Sequence, residues 1–177
     1  MKTILTTVAL LLSTQVWAGA EQFKDGPLIM GYGKHAPVMQ SVNLTENRAF
    51  KVAFDVSEQG SIDKVNRRFD SLARFLNMHI ANGVSSDNLN LALVVHGKAG
   101  FDLLNNKVYQ AKFNQDNPNQ KLLAALMQHQ VRIYICGQSA AYHDIKNNDL
   151  QLGVNVALSA MTAHAALQNE GYTLNPF

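Results

Sequence analysis

Two apolar runs of the chain each end on a reactive residue followed by a glycine. One run ends at His96-Gly97 and the other at Cys136-Gly137. Cys136 is the only cysteine among 177 residues, so it has no partner for an internal disulfide. A thiolate is a nucleophile, and an imidazole gains or loses a proton near neutral pH. This pattern predicts chemistry on sulfur, with Cys136 and His96 as the catalytic residues.

The residues beside these two positions supply candidate binding groups. Gly97 and Gly137 let a substrate approach the backbone closely, and the free N–H of Gly137 suits an anion. Gln138 and Ser139 add hydrogen-bond donors near the start of the following helix. Lys98 brings a positive charge to the same rim, although it also fits an ordinary solvated loop position. We therefore expect these five residues to bind the substrate.

Each candidate also has a purely structural alternative. A lone cysteine at a strand end fits a small buried core residue, and His96 fits a hydrogen-bonded structural residue. The position of Cys136 just before a helix favours reactivity, because a helix N-terminus stabilises a thiolate. His79, His129 and His164 fall on predicted helices and are interpreted as structural or solvated. Three ligands at a fixed spacing are missing, so we predict no metal site and no cofactor.

Strands and helices alternate along the chain. Apolar runs predict strands over residues 49–56, 89–97, 131–136 and 152–158. Helices are predicted over residues 63–82, from Pro118 onward, from Gly137 to near Lys146, and over residues 159–171. This order calls for a parallel sheet that is covered by helices on both faces. Ligands bind outside the carboxyl ends of such strands, so we expect His96 and Cys136 to face one crevice.

The predicted helices carry recognisable end signals. Ser61 is expected to cap the helix over residues 63–82, and Gly83 is expected to end it. Asn117 is expected to cap the next helix, with Pro118 at its first position. These signals set where the elements that flank the strands begin and end.

The amino terminus has the three parts of a secretory signal peptide in order. Lys2 supplies the positive region, and residues 4–12 supply the apolar region. Ala18-Gly19-Ala20 is the small-residue site, with cleavage expected before Glu21. We expect an exported, periplasmic protein in which no later segment spans a membrane. The expected division is a signal peptide, residues 1–20, a turn-rich N-terminal arm, residues 21–46, and one α/β domain, residues 47–177.

The charge of the chain argues against partners with strongly anionic surfaces. The 15 Lys and Arg residues and 13 Asp and Glu residues give a formal charge of +2. No cluster of basic residues accompanies this small excess. We therefore expect neither nucleic acid nor a membrane as a partner.

Five stretches of the chain resemble the DsrE/DsrF-like family, specifically its small exported members. They are RFLNMH, LVVHGKAGFDLL, NPNQKLLAALMQHQVRIYICGQS, LGVNVALSAMTAH and EGYTLNPF. The resemblance implies a three-layer α/β/α domain with a mostly parallel sheet, assembled as a homo-oligomer of three or six chains. In the cytoplasmic sulfur-relay members of the family, a cysteine at the end of the third strand accepts sulfur as a persulfide. Cys136 matches that position.

Three hypotheses for the function follow from the residues and the resemblance. The first is an exported sulfur-handling protein. Its Cys136 accepts sulfane sulfur as a persulfide and passes it on, with a small sulfur compound or a sulfur-acceptor protein as partner. The second is a non-catalytic module that binds a small ligand or an anion. The third is an oligomeric assembly protein in which Cys136 is structural.

Overall fold

The computed structural model describes residues 19–175 of the chain. The predicted signal peptide lies outside these residues except for its last two positions. The described chain contains one sheet of five strands. The strands are β1 (Phe50–Val56), β2 (Leu89–Val95), β3 (Arg132–Cys136), β4 (Asn155–Ala157) and β5 (Thr173–Asn175). Their order across the sheet is β4-β3-β2-β1-β5, and every neighbouring pair is parallel.

Five α-helices cover the two faces of this sheet. They are α1 (Arg67–Ala81), α2 (Asn106–Phe113), α3 (Gln120–Gln128), α4 (Gly137–Tyr142) and α5 (Ala160–Asn169). The helices α1 to α4 share one hydrophobic core with one face of the sheet, which we call the α1 face. The helix α5 alone covers the other, which we call the α5 face. The predicted three-layer α/β/α fold with a parallel sheet is therefore confirmed.

The path of the chain explains why α5 lies apart from the other helices. The strands β1 to β4 are added in one direction across the sheet, with their connecting helices on the α1 face. The chain then returns through α5 and adds β5 beside β1. Right-handed crossovers made in opposite directions place their helices on opposite faces. The strand order therefore reverses at β1, which is where a parallel sheet opens a crevice at its carboxyl end.

Alternation of side chains along the strands gives the two faces different contents. The α1 face is filled by large apolar side chains from the strands and from α1 and α3. Among them are Phe54, Leu91, Leu93, Ile133, Phe69, Leu72, Leu122 and Leu123. The α5 face has a smaller core of mostly smaller side chains. These are Ala53, Ala92, Val94, Ala163, Leu167 and Tyr172.

The start of α1 differs from the prediction. The helix begins at Arg67, and the side chain of Asn66 caps it by accepting the N–H of Arg68 at 2.9 Å. Ser61, the predicted cap, instead accepts a turn hydrogen bond from Lys64 through its carbonyl group. Long-range contacts select Asn66, because its own N–H donates to the side chain of Asn119 at 2.7 Å. A prediction of the capping residue from local sequence alone does not include such a long-range contact.

Several other boundaries also shift. The helix α3 begins at Gln120 rather than Pro118, although the Asn117 side chain still accepts the N–H of Asn119 at 2.9 Å in the turn before it. The helix α4 ends at Tyr142, short of the predicted end near Lys146. The strand β4 is shorter than its prediction, and β5 was not predicted at all.

The segment before β1 is attached to the outer side of α1. Lys24 and His35 form an antiparallel bridge with two backbone hydrogen bonds of 3.0 Å. The fully buried Asn77 side chain accepts the N–H of Ile29 at 2.8 Å and donates to its carbonyl at 2.9 Å. Ile29 is itself buried in the core. A short hairpin therefore precedes the sheet, and the α1 side chains Asn77 and Asp70 hold it in place, the latter by accepting the N–H of Gly33 at 2.7 Å.

Candidate functional site

The carboxyl ends of β2 and β3 bring His96 and Cys136 to the same level of the sheet. The two strands pair with Val95 opposite Ile135, and His96 and Cys136 follow these residues directly. Val95 and Ile135 belong to the core on the α1 face. Because side chains alternate along a strand, the next residues face α5. The structure therefore places both predicted catalytic residues on the α5 face.

Cys136 is a buried thiol that is surrounded by hydrogen-bond donors. It precedes α4 directly, and 6% of its surface is exposed. Burial raises the pKa of the Cys136 thiol, but four donors outweigh burial and hold the pKa below its ordinary value. The donors are the Ser139 hydroxyl and the backbone N–H groups of Ser139, Ala160 and Gln138. Two helix starts, those of α4 and α5, therefore converge on one sulfur atom.

Ser139 links the two strand ends. Its hydroxyl oxygen accepts the N–H of Gly97 at 2.9 Å, which leaves the hydroxyl hydrogen to donate to the Cys136 sulfur. Gly97 has a φ of +54°, and a Cβ atom there would lie 2.9 Å from the carbonyl oxygen of Ser57. Only glycine fits this position without strain. Gly97 therefore acts on the site through its backbone, by orienting the serine.

Two of the other predicted binding residues, Gly137 and Gln138, contact the connection between β4 and α5. A Cβ atom on Gly137 would lie 2.6 Å from the carbonyl oxygen of Ala157, so this glycine packs against the end of β4. The Gln138 side chain donates to the carbonyl of Leu158 at 3.2 Å. Both contacts fix the connection that brings the first turn of α5 to Cys136. Lys98 is exposed on the 3-10 turn after β2.

A carboxylate between two histidines completes the site. Nε2 of His96 lies 3.1 Å from Oδ2 of Asp55, and Nε2 of His164 lies 2.7 Å from Oδ1 of the same residue. Burial raises the pKa of the Asp55 carboxyl, but the hydrogen bonds from His164 and His96 outweigh it and lower the pKa. The site thus contains one thiol, one carboxylate and two imidazoles on the α5 face.

Asp55 is absent from the residues that the sequence predicts for the site. His164, which the sequence predicts to be structural or solvated, is 16% exposed and is paired with Asp55. A usable signal existed for Asp55, because it lies two residues after Ala53 and so shares the α5 face with it. For His164 the signal is its position four residues after Ala160, on the same side of a helix. Neither signal indicates that the two residues meet.

Three further observations on the described residues concern metal binding, membrane spans and His79. Within residues 19–175, no three His, Cys, Asp or Glu side chains are grouped in a way that could hold a metal ion. The helices in this range are all too short or too polar to cross a membrane. His79, the one histidine buried within residues 19–175, has a structural contact, with Nδ1 at 2.7 Å from the carbonyl oxygen of Phe75.

The fold and the site together define a class of α/β proteins with a cysteine at the carboxyl end of a central parallel strand. The chain belongs to the DsrE/DsrF-like family, whose pattern matches residues 51–176. This membership suggests a sulfur-related role. No curated protein matches the chain.

Two solved structures resemble the fold. One is a protein of unknown function, MTH1491, from Methanobacterium thermoautotrophicum, with 20% identity and a TM-score of 0.54 over 72% of this chain and 99% of that one. The other is the crystal structure of the ychN protein from E. coli, with 19% identity and a TM-score of 0.51 over 72% of this chain and 100% of that one. At these identities the likeness supports the architecture alone.

Proposed function

We propose that the protein is an exported sulfur carrier that holds sulfane sulfur as a persulfide on Cys136 and passes it to an acceptor. The observation that carries this proposal is the donor set around the Cys136 sulfur, which favours a thiolate despite burial. Membership of the DsrE/DsrF-like family supports a sulfur substrate over other electrophiles. The absence of a second cysteine in the chain also fits, because no internal thiol can displace the bound sulfur as a disulfide.

The proposed sulfur transfer needs no external oxidant, because the transferred sulfur is already at the sulfane level in the donor. The Cys136 thiolate attacks the outer sulfur of a donor persulfide, R–S–SH, forming a new S–S bond while the donor S–S bond breaks. The leaving R–S⁻ takes a proton from the His96 imidazolium and departs as a thiol. An acceptor thiol then gives its proton to neutral His96 and attacks the outer sulfur. This second step restores the Cys136 thiolate and regenerates the imidazolium.

Sulfur loading is the direct test. After incubation with polysulfide and removal of excess reagent, intact-mass spectrometry of the wild-type protein should show the mass of one added sulfur atom. Cys136→Ser should show none. The matched control is Cys136→Ser combined with Met39→Cys, which moves the single thiol to a side chain that is 98% exposed. We expect this control to load far more slowly.

The same samples separate the two alternatives. A wild-type protein that gains no sulfur, but whose Cys136 reacts rapidly with an alkylating reagent, would contradict the carrier and favour a ligand-binding module. A thiol that resists alkylation until the protein is denatured would favour an assembly protein with a structural cysteine.

Self-association is proposed as a trimer or hexamer through the edge of the sheet at β4. Large apolar side chains are exposed around this edge and the start of α5. They are Tyr142, Leu152, Leu158 and Met161. Light scattering of the wild-type protein should give a multiple of the chain mass. Leu158→Glu should reduce the mass, and Met39→Glu should not. A monomeric wild-type protein at micromolar concentration would contradict the proposal.

Export to the periplasm is the remaining part of the proposal. It is supported by the order of Lys2, the apolar residues 4–12 and the small residues at 18–20. Fractionation of a Gram-negative host should recover the protein in the periplasm, and amino-terminal sequencing should begin at Glu21. An intact amino terminus in the cytoplasmic fraction would contradict export.

A further inference from the structure

Asp55 makes one contact with each of its two carboxylate oxygens. Oδ2 lies 3.1 Å from Nε2 of His96, and Oδ1 lies 2.7 Å from Nε2 of His164. The three residues come from three elements: β1, the end of β2 and α5. All three side chains are at most about one-third exposed, at 34%, 34% and 16% for Asp55, His96 and His164. One carboxylate therefore contacts two imidazoles that lie far apart in the sequence. We call this arrangement of Asp55, His96 and His164 the clamp.

This geometry fixes the tautomer of both rings. An ionised carboxylate only accepts hydrogen bonds, so each Nε2 must donate. A neutral imidazole carries one ring proton, which leaves Nδ1 of each ring as the atom that accepts a second proton. A proton that arrives on His96 then lies on a ring already paired with a negative charge. The ring that takes up this proton keeps its contact with the carboxylate, so no group has to move.

The helix α5 joins this arrangement to the thiol. The N–H of Ala160, at its first position, donates to the Cys136 sulfur. His164 follows four residues later, on the same side of the helix, and contacts Asp55. The position of α5 thus sets two contacts at once, one to the nucleophile and one to the carboxylate that orients His96.

We infer that Asp55 and His164 are positioning residues for proton transfer at Cys136. Asp55 holds His96 with Nδ1 free to exchange the proton, and His164 occupies the second oxygen so that the carboxylate cannot turn away. The inference rests on the proposed sulfur transfer. In each step, the proton that leaves or reaches His96 does so at Nδ1, while the Nε2 proton stays on Asp55, so the proton balance of the transfer is unchanged.

Within the described residues, the titratable groups recorded in contact with the Asp55 carboxylate are His96 and His164. His96 approaches from the end of β2, and His164 approaches from α5. The strand β5, which also pairs with β1, carries Thr173, Leu174 and Asn175.

The first experiment reads the tautomers directly and needs no sulfur chemistry. Long-range proton–nitrogen NMR spectra of the wild-type protein, recorded at an alkaline pH at which imidazole rings are neutral, should show the Nε2–H tautomer for both His96 and His164. In Asp55→Asn, the amide has one accepting oxygen and so can serve one ring only; the other ring should change its signals. Asp87→Asn, at an exposed turn, is the control and should leave both rings unchanged. An Nδ1–H tautomer on either ring in the wild-type protein would overturn the clamp.

The second experiment measures the rate of sulfur loading. Asp55→Asn should slow loading by about 100-fold, which is the lower end of what general acid–base catalysis contributes. His164→Phe, which removes the donor, should slow loading less, and His164→Gln, which keeps an N–H donor, should restore much of the rate. His129→Gln, at the end of α3, is the matched control and should have no effect.

The two proposals fail in distinguishable ways. If the wild-type protein takes up no sulfur, the carrier function fails, and the NMR spectra alone decide whether the clamp exists. If it takes up sulfur and Asp55→Asn retains the full rate in a folded protein, the positioning role is wrong while the carrier function stands. Refolding of the variant is checked by comparing its backbone amide spectrum with that of the wild type.

Discussion

The two faces of the sheet have different compositions and different tasks. The α1 face is packed with large side chains from four helices, whereas the α5 face has a small core that includes Ala53, Ala92 and Ala163. The thiol, the carboxylate and the two imidazoles of the candidate site lie on the α5 face. Small side chains let α5 lie close to the sheet, so that its first N–H reaches the Cys136 sulfur and His164 reaches Asp55. Most of the large buried side chains lie on the α1 face, and the candidate reactive side chains lie on the α5 face.

At the ends of β2 and β3, consecutive residues face opposite sides of the sheet. Val95 and Ile135 are fully buried against the α1 face, and the residues that follow them, His96 and Cys136, face α5. A strand that is anchored on one side can therefore hold a reactive group rigidly on the other. The comparison predicts that changes on the α1 face alter stability and leave the thiol unaffected.

The largest expected effect tests this independence. Leu122 is fully buried on α3, so Leu122→Ala should lower the free energy of unfolding by about 2–5 kcal/mol through lost burial and a cavity. The alkylation rate of Cys136 at neutral pH should stay the same in the folded variant. Urea denaturation and a thiol assay measure the two quantities. Met39→Ala, at a side chain that is 98% exposed and lies outside the proposed contact at β4, is the control, with an expected change within about 0.5 kcal/mol.

A smaller effect is expected from the Ser139 hydroxyl in the first turn of α4. Ser139→Ala removes a donor to the Cys136 sulfur and leaves the N–H of Gly97 without its acceptor. The pKa of the Cys136 thiol should rise, so that the midpoint of alkylation against pH moves upward, and stability should fall by about 1–3 kcal/mol. Ser71→Ala, on the exposed side of α1, is the control. An unchanged midpoint would show that the hydroxyl does not stabilise the thiolate.

The smallest expected effect is a change in the pH dependence of stability, and it compares the carboxyl groups of Asp102 and Asp55. Burial raises the pKa of the fully buried Asp102, whereas the hydrogen bonds from two histidines lower the pKa of Asp55 against its burial. For Asp102 the stability contribution is fully present below the unfolded-state pKa and is lost as pH rises through the raised value. For Asp55 it is present above the unfolded-state pKa and is lost as pH falls through the lowered value.

The two variants should therefore change the pH dependence of stability in opposite directions. Relative to the wild type, Asp102→Asn should gain stability as pH rises through the acid range, and Asp55→Asn should gain stability as pH falls. Urea denaturation at a series of pH values measures both, with slopes below about 1.4 kcal/mol per pH unit for one proton. Two slopes of the same sign would mean that the carboxylates do not differ as described.

Local patterns in the sequence predict much of the fold and half of the site. Apolar runs identify four of the five strands, and the rule for parallel sheets brings His96 and Cys136 to one edge. The strand β5 is not predicted because it has three residues and no apolar run. The start of α1 is not predicted correctly because long-range hydrogen bonds with Asn119 and Asp102 make Asn66 the capping residue.

The other half of the site depends on a contact that no local pattern contains. Asp55 and His164 are 109 residues apart, and each looks ordinary in its own element. Their meeting requires the crossover that carries α5 over the sheet. The family resemblance indicates the position of Cys136 but not its carboxylate and second histidine.

The crossover also sets when, during synthesis and folding, the thiol acquires its properties. A chain that has emerged only as far as β3 already carries Cys136, but it lacks the Ala160 N–H and His164, and long-range contacts of this kind form late. Its thiol is then that of an ordinary cysteine. The donor set around the sulfur is complete only once α5 has docked and added the Ala160 N–H to the donors from α4. The rate at which the single cysteine reacts therefore reports in part whether the last helix has reached its place.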